Sequence, residues 1–148
     1  MIEVHEAVDV GCPPRKVWSL LSDPHKVVDC VPGAALGQEH EDGSFDGTMT
    51  VSFGPTKVTF KARVSLELDQ DAMTGNVTAR GKDTQGGTRF TAKMNFKVDE
   101  KDSGATVPIN AEVEIGGKLA GIVETGAKFV IKRLTAEFSE RLASKCSV

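Results

Sequence analysis

The spacing of hydrophobic residues changes along the chain and predicts its structural elements. Between about residues 34 and 115, apolar residues recur at every second position, which indicates strands with one buried and one wet face. In KVTFKARVSLEL (57–68) the apolar face consists of Val58, Phe60, Ala62, Val64, Leu66 and Leu68. From about residue 118 to 144 the spacing approaches i, i+3, i+4, which indicates one long helix.

Shorter elements precede the alternating region. Residues 3–11 are predicted to form a strand, and Pro13-Pro14 marks the first turn of a helix that ends near Ser22. Asp23-Pro24 starts a second short helix with Asp23 as its N-cap. Val31-Pro32-Gly33 ends that helix and turns the chain into the alternating region.

Short turns within the alternating region imply antiparallel pairing. Turn sequences occur at Gly54-Pro55, Gln85-Gly86-Gly87 and Asp102-Ser103-Gly104, so a meander of about five or six strands is predicted. A sheet with one apolar face must bury that face against another element, and only the last helix is long enough to do so. Its predicted apolar stripe is Leu119, Ile122, Val123, Gly126, Phe129, Val130, Leu134, Phe138 and Leu142. The pattern therefore predicts an α+β fold, a curved antiparallel sheet around a long C-terminal helix, in a single domain over residues 1–148.

Composition narrows the possible functions. The 148 residues carry a net charge of −3, which gives no electrostatic footprint for nucleic acid. No run approaches the roughly 18 apolar residues of a membrane-spanning helix, and the N-terminus shows no secretory signal. Three cysteines (Cys12, Cys30 and Cys146) without metal spacing predict reduced thiols in a cytoplasmic protein.

The inward face of the predicted meander suggests a binding site and not a catalytic one. Its assigned positions contain no Asp, Glu, His, Lys or Arg, so no acid–base group is expected there. The same face alternates bulky side chains with small ones: Gly47, Ala62, Gly75, Ala79, Gly81, Ala92 and Ala111. These small residues either leave an apolar space that admits a ligand or mark bends and bulges of a curved sheet.

The stretch DPHKVVDCVPGA (23–34) is the strongest candidate for catalytic chemistry. His25 and Asp29 are four residues apart and are expected to pair on the surface. His25 and Cys30 are five apart, so one helix cannot join them, and a thiolate–imidazole pair would need His5 or His40. Cys30 is interpreted as a buried thiol, and no catalytic residue is predicted.

Several segments together resemble a known family. They are CPPRKVWSLLSDP (12–24), CVPGA (30–34), FGP (53–55), DTQGG (83–87) and IGGKLAGIVETGAKFVIKRLTAEFSERL (115–142). With these motifs the chain resembles the CoxG subunit of carbon monoxide dehydrogenase, a branch of the START-like superfamily that includes polyketide cyclases and Bet v 1-like proteins. The resemblance implies a helix-grip fold.

The resemblance also implies a hydrophobic cavity between the long helix and the sheet. The expected lining is Val51, Phe53, Phe60, Ala62, Val64, Val77, Ala79, Phe90, Ala92, Met94, Phe96, Ile109, Ala111, Val113, Leu119, Ile122, Val123, Gly126 and Val130. The expected portal is Val28, Cys30, Val31, Pro32 and Gly33. A lipid-like ligand such as a respiratory quinone is expected, with no covalent cofactor and no metal.

The family implies a function and partners. Its members accompany molybdenum hydroxylases of the carbon monoxide dehydrogenase type and are linked to membrane recruitment of these enzymes. We therefore expect a non-catalytic accessory protein, cytoplasmic or peripheral on the inner face of the cytoplasmic membrane. Longer relatives carry a C-terminal extension that can tether them, whereas this sequence stops at Val148. The alternatives are a small cyclase, dehydratase or hydrolase with polar groups from residues 23–33 or the loops, and a docking module without a ligand.

Overall fold

The computed structural model describes residues 1–146, and it confirms the predicted fold class. The first strand and the short helices are β1 (Ile2–Val10), α1 (Pro14–Leu21), α2 (Pro24–Val27) and a 3-10 turn (Val28–Cys30). The meander comprises β2 (Ala34–Glu39), β3 (Phe45–Phe53), β4 (Thr56–Asp69), β5 (Thr74–Asp83), β6 (Thr88–Lys97), β7 (Asp99–Lys101) and β8 (Gly104–Gly117). The long helix is α3 (Ala120–Cys146).

All strands belong to one curved antiparallel sheet. The order is β1-β8-β6-β5-β4-β3-β2, and β7 pairs with β8 beside this path. The meander thus has seven strands in place of the predicted five or six, because the short β7 adds a pairing that the alternation did not reveal. The inner face is the one that turns toward α3, and the outer face is the opposite one.

The signals for the short helices are confirmed, but one surface pair is not. Asp23 caps α2, because its Oδ1 accepts a hydrogen bond from the His25 N–H at 2.9 Å. The expected His25–Asp29 pair is wrong. The His25 ring instead meets Phe45 edge-on, with centroids 5.9 Å apart, and Asp29 pairs with Lys145 at 3.5 Å.

The buried apolar residues form two separate clusters. Cluster one lies where α1 and the end of α3 meet the sheet, and it consists of Val8, Val10, Val17, Trp18, Leu21, Cys30, Val98, Ala105, Val107, Leu142 and Cys146. Cluster two lies under the first half of α3, and it consists of Val51, Phe53, Val58, Val123 and Val130. The core is therefore divided along the length of α3.

The buried face of α3 is rotated from the predicted stripe. Its buried residues are Val123, Ala127, Val130, Leu142 and Cys146. Ile122 and Phe129 were predicted to face the sheet, yet they are 45% and 76% exposed. Ala127 lies close to the centre of the buried arc, and Ile122 and Phe129 are about 140° and about 160° away from it around the helix, so both lie outside that arc. No helix within residues 1–146 has the length and apolar character needed to span a bilayer.

Two of the three cysteines are bonded to each other. Cys12 and Cys146 form a disulfide with Cα atoms 6.3 Å apart, within the usual range for such bonds. The predicted reduced thiols are therefore wrong for this pair, while Cys30 is free. The pairing arises because α1 packs against α3, which brings the loop after β1 to the end of α3.

Candidate ligand-binding site on the inner face of the sheet

Between the two clusters, the inner face of the sheet is only partly covered. Nine predicted lining residues belong to neither cluster and are half-buried: Ala62, Val64, Val77, Ala79, Phe90, Ala92, Met94, Ala111 and Val113. The backbone of α3 packs against β1, β3 and β8, and it makes no comparable contacts with β4, β5 or β6. These nine positions, which we term the inner-face site, form an apolar surface without close cover.

The centre of the inner-face site is a row of small side chains that crosses four strands. Ala79 of β5 lies directly opposite Ala92 of β6. Val64 of β4 pairs with Ala79, and Val113 of β8 pairs with Ala92. Side chains that project from directly opposite positions share one face, so the smallest side chains lie at the centre of the inner-face site.

Most of the remaining predicted lining residues belong to the two clusters on either side of the inner-face site. Val51, Phe53, Val123 and Val130 are buried in cluster two, with Phe60 and Leu119 packed against them. Phe96 and Ile109 pack against cluster one. Ile122 lies on the exposed flank of α3. The lining thus divides into well-packed ends and a half-buried centre.

Three glycines, Gly75 and Gly81 of the sheet and Gly126 of α3, do not leave open space around them. A Cβ at Gly75 would overlap the Phe96 ring, one at Gly81 would overlap the carbonyl oxygen of Lys61, and one at Gly126 would lie 3.1 Å from Cδ1 of Phe53. At these three positions the glycine is explained by close packing, because the missing side chain lets a neighbouring group approach the backbone. Ala62, Ala79, Ala92 and Ala111 are half-buried small residues of the inner face.

The inner face does carry titratable groups, contrary to the sequence prediction. Glu6 shares the face of Val4 and Val8 on β1, lies opposite Ile109 and is half-buried. Asp83 lies opposite Phe60 and is 5% exposed. Neither was assigned inward from the sequence, because Glu6 interrupts an apolar strand and Asp83 ends one.

Asp83 has a structural role in the β5–β6 turn. Its Oδ1 accepts hydrogen bonds from the N–H groups of Gln85 at 2.8 Å and Gly87 at 3.2 Å. Burial acts to raise the pKa of Asp83, but hydrogen bonds from the Thr88 hydroxyl and the turn N–H groups outweigh it and lower the pKa. Thr88 also accepts the Leu119 N–H at 2.9 Å, which links the turn to the start of α3.

The predicted portal segment is anchored at both ends. Asp29 pairs with Lys145 at 3.5 Å, and its carbonyl oxygen accepts a hydrogen bond from Arg141. Gly33, at φ +78°, packs on Thr50, whose N–H donates to the Gly33 carbonyl at 3.0 Å. Val28, Val31 and Pro32 are half-buried. The segment thus contacts α3 through Asp29 and β3 through Gly33.

Cys30 belongs to this segment, and its thiol is buried and unreactive. Its side chain is fully enclosed in cluster one, and burial raises the pKa of the thiol. A protonated buried thiol is a poor nucleophile. The two remote histidines are engaged elsewhere, because His5 contacts Asn110 at 2.8 Å and His40 contacts Asp46 at 2.8 Å.

A groove lies between the edge strand β1 and α3. It has a volume of about 550 Å³. Its apolar lining includes Ile2 and Val4 of β1 and Ala127 and Ile131 of α3, while Glu6 contributes a carboxylate. None of its lining residues belongs to the inner-face site or to the 28–33 segment.

Comparisons with known proteins agree with the fold described above. The sequence profile of the CoxG subunit of carbon monoxide dehydrogenase matches residues 7–147. A conserved protein from Geobacillus kaustophilus superposes with a TM-score of 0.83 at 18% identity, over 99% of this chain and 95% of that one. The Zhui aromatase/cyclase from Streptomyces sp. R1128 gives 0.64 at 16% identity, over 99% and 93%. No curated protein sequence matches significantly.

Proposed function

Because this chain belongs to the CoxG family of carbon monoxide dehydrogenase subunits, we propose that it is a non-catalytic accessory protein that holds an apolar ligand between α3 and the sheet. The observation that supports this proposal is the inner-face site, where the apolar side chains around Ala79 and Ala92 are only half-buried between two well-packed clusters. Apolar surface left uncovered gains free energy when a hydrophobic molecule excludes water from it. A lipid-like molecule such as a respiratory quinone fits that chemistry.

The partners proposed here follow from the family. We propose that the protein serves a molybdenum hydroxylase of the carbon monoxide dehydrogenase type and helps to recruit or couple it to the cytoplasmic membrane. Ile122 and Phe129 support peripheral membrane contact, because they lie seven residues apart on one flank of α3 and are exposed. The Cys12–Cys146 disulfide argues against a reducing compartment, so its redox state in cells tests the proposed cytoplasmic location.

Replacing Ala92 with Phe should abolish ligand uptake while leaving the fold intact. The new ring would occupy the centre of the inner-face site, so the affinity for decylubiquinone should fall by at least about tenfold. If the site is open, the free energy of unfolding should change by less than about 1 kcal/mol, whereas overpacking a filled core costs about 1–3 kcal/mol. Quinone titration and urea unfolding measure the two quantities.

The matched control is Ala35→Phe, the same substitution on an exposed position of β2. Ala35 pairs with Thr48 on the outer face, so quinone affinity should stay within about twofold of the wild type. Unchanged quinone affinity in Ala92→Phe, together with a large loss of stability, would indicate a filled core and a docking module without a ligand.

Glu6 favours a second candidate function, a small enzyme on the same fold. A carboxylate on an apolar inner face can act as an acid or base toward a bound molecule. The ligand extracted from the protein can be incubated with fresh wild-type protein and with Glu6→Gln. Chemical conversion by the wild type alone would support this alternative, and recovery of the same molecule from both would exclude Glu6 as its catalytic group.

A further inference from the structure

A second site lies on the opposite side of the sheet, where basic side chains converge in a depression. The depression has a volume of about 580 Å³ on the outer face of β3 to β6. Its charged lining consists of Asp46, Lys61, Arg63, Arg80, Lys82 and Arg89. Gly47, Ala62 and Gly81 also line it, although their positions alternate with the outward ones and belong to the inner face. We term this feature the outer basic depression.

The cations of the outer basic depression are placed directly opposite one another. Lys61 pairs with Lys82, and Lys82 pairs with Arg89, so one row of like charges crosses three strands. In the adjacent row, Arg63 pairs with Arg80. Like charges directly opposite each other destabilise a sheet, and neighbouring strands are only about 4.8 Å apart. The stability of the sheet therefore does not explain why these cations lie opposite one another.

Most of these cations lack an acidic partner. Asp46 is the one carboxylate of the lining, and it is engaged by His40 at 2.8 Å and Arg63 at 3.5 Å. Within residues 1–146, no ion pair or side-chain hydrogen bond is found for Lys61, Arg80, Lys82 or Arg89. The chain as a whole carries a net charge of −3, so the positive charge is concentrated locally.

We propose that the outer basic depression docks an acidic segment of a protein partner. The guanidinium groups of Arg63, Arg80 and Arg89 match carboxylates in a two-pronged geometry. Complementary charge of this kind fixes register and raises association rates. The surface is separate from the inner-face site, so the proposal does not depend on which apolar molecule binds there.

A protein segment fits this surface better than an anionic membrane. The exposed large hydrophobic residues within residues 1–146 are Met1, Leu68, Ile122 and Phe129, and none of them lines the depression. Glu112 and Glu114 of β8 are exposed on the same outer face, opposite Lys93 and Thr91. A membrane of uniform negative charge would repel these carboxylates, whereas a partner with patterned charge can complement both signs.

The test uses a fluorescein-labelled peptide of six consecutive glutamates and measures its anisotropy at low ionic strength. Arg80→Glu/Lys82→Glu should weaken binding by at least about tenfold, and the neutral Arg80→Gln/Lys82→Gln should weaken it by about threefold or more. The neutral variant keeps the test valid if charge reversal impairs folding. Raising the ionic strength to about 0.3 M should also weaken binding by the wild type.

The matched control changes net charge by the same amount elsewhere. Lys128→Glu/Lys132→Glu places the two reversals beside the β1–α3 groove, and peptide affinity should stay within about twofold of the wild type. Equal weakening by this control would show a general charge effect and overturn the proposal. So would binding of phosphatidylglycerol vesicles, lost on Arg80→Gln/Lys82→Gln, in the absence of peptide binding. Decylubiquinone affinity should be unchanged in the Arg80 and Lys82 variants, because both residues lie on the outer face.

Discussion

Removal of the Cys12–Cys146 disulfide should lower the free energy of unfolding by about 2–5 kcal/mol. The bond joins residues 134 positions apart, so it restricts almost the whole unfolded chain. Both cysteines also contact cluster one, where Cys146 is buried and Cys12 is packed against it. The expected loss is large because small domains have total stabilities of only about 5–15 kcal/mol.

Urea unfolding of the oxidised protein with and without reductant measures this contribution. The Cys12→Ser/Cys146→Ser variant serves as the control, because its unfolding midpoint should be insensitive to reductant. Cys30 is free in both proteins, so any effect of reductant through that thiol would appear in the control. Equal midpoints for the oxidised and reduced wild type would contradict the expected contribution.

Replacing Gly81 with Ala should destabilise the protein by more than about 3 kcal/mol or prevent folding. The added methyl would overlap the carbonyl oxygen of Lys61 and lie 2.8 Å from Cα of Ala62. Both neighbours are backbone atoms of β4, so a side-chain rotation cannot relieve the overlap. The adjacent strands would have to separate at the centre of the sheet, where β4 and β5 pair over ten residue pairs.

Gly47→Ala is the matched control for this prediction. A Cβ at Gly47 would lie 3.5 Å from Cγ2 of Val64 and 3.7 Å from the Ala35 carbonyl oxygen, which is ordinary contact. Its unfolding free energy should change by less than about 1 kcal/mol, since alanine restricts the unfolded chain more than glycine does. Similar free energies of unfolding for the two variants would show that β5 can move away from β4 at Gly81.

The fold could be predicted because its signals are local and agree with one another. Strict alternation in residues 57–68 placed β4, and Asp23 capped α2 as expected. The short turns at Gly54-Pro55 and Gln85-Gly86-Gly87 join β3 to β4 and β5 to β6. Each signal depends on neighbours within a few residues, which is why the antiparallel order follows from sequence alone.

The features that the sequence did not reveal depend on long-range contacts. The buried face of α3 is defined by contacts with distant strands: Phe53 of β3 packs on Gly126, while Phe129 is exposed. The disulfide depends on where the chain ends meet, and spacing carries no information about that. Glu6 was missed because one polar residue in an apolar strand does not identify its face until β1 is paired with β8.

The candidate site was predicted in part. The half-buried centre around Ala62, Ala79 and Ala92 was among the expected lining residues. The sequence left open whether its glycines mark an open space or a bend in the sheet. At Gly75 and Gly126 the aromatic rings of Phe96 and Phe53 occupy the room beside the glycine. A glycine in a sequence does not distinguish empty space from a close neighbour, whereas the packed structure does.

The most direct test of the central proposal is the content of the inner-face site in the purified protein. The protein is produced in a quinone-containing host, extracted with organic solvent and analysed by mass spectrometry, beside Ala92→Phe prepared in the same way. The proposal predicts a quinone or lipid in near-stoichiometric amount in the wild type and its loss in the variant. Absence of any such molecule from the wild type, with no uptake of added decylubiquinone, would contradict it.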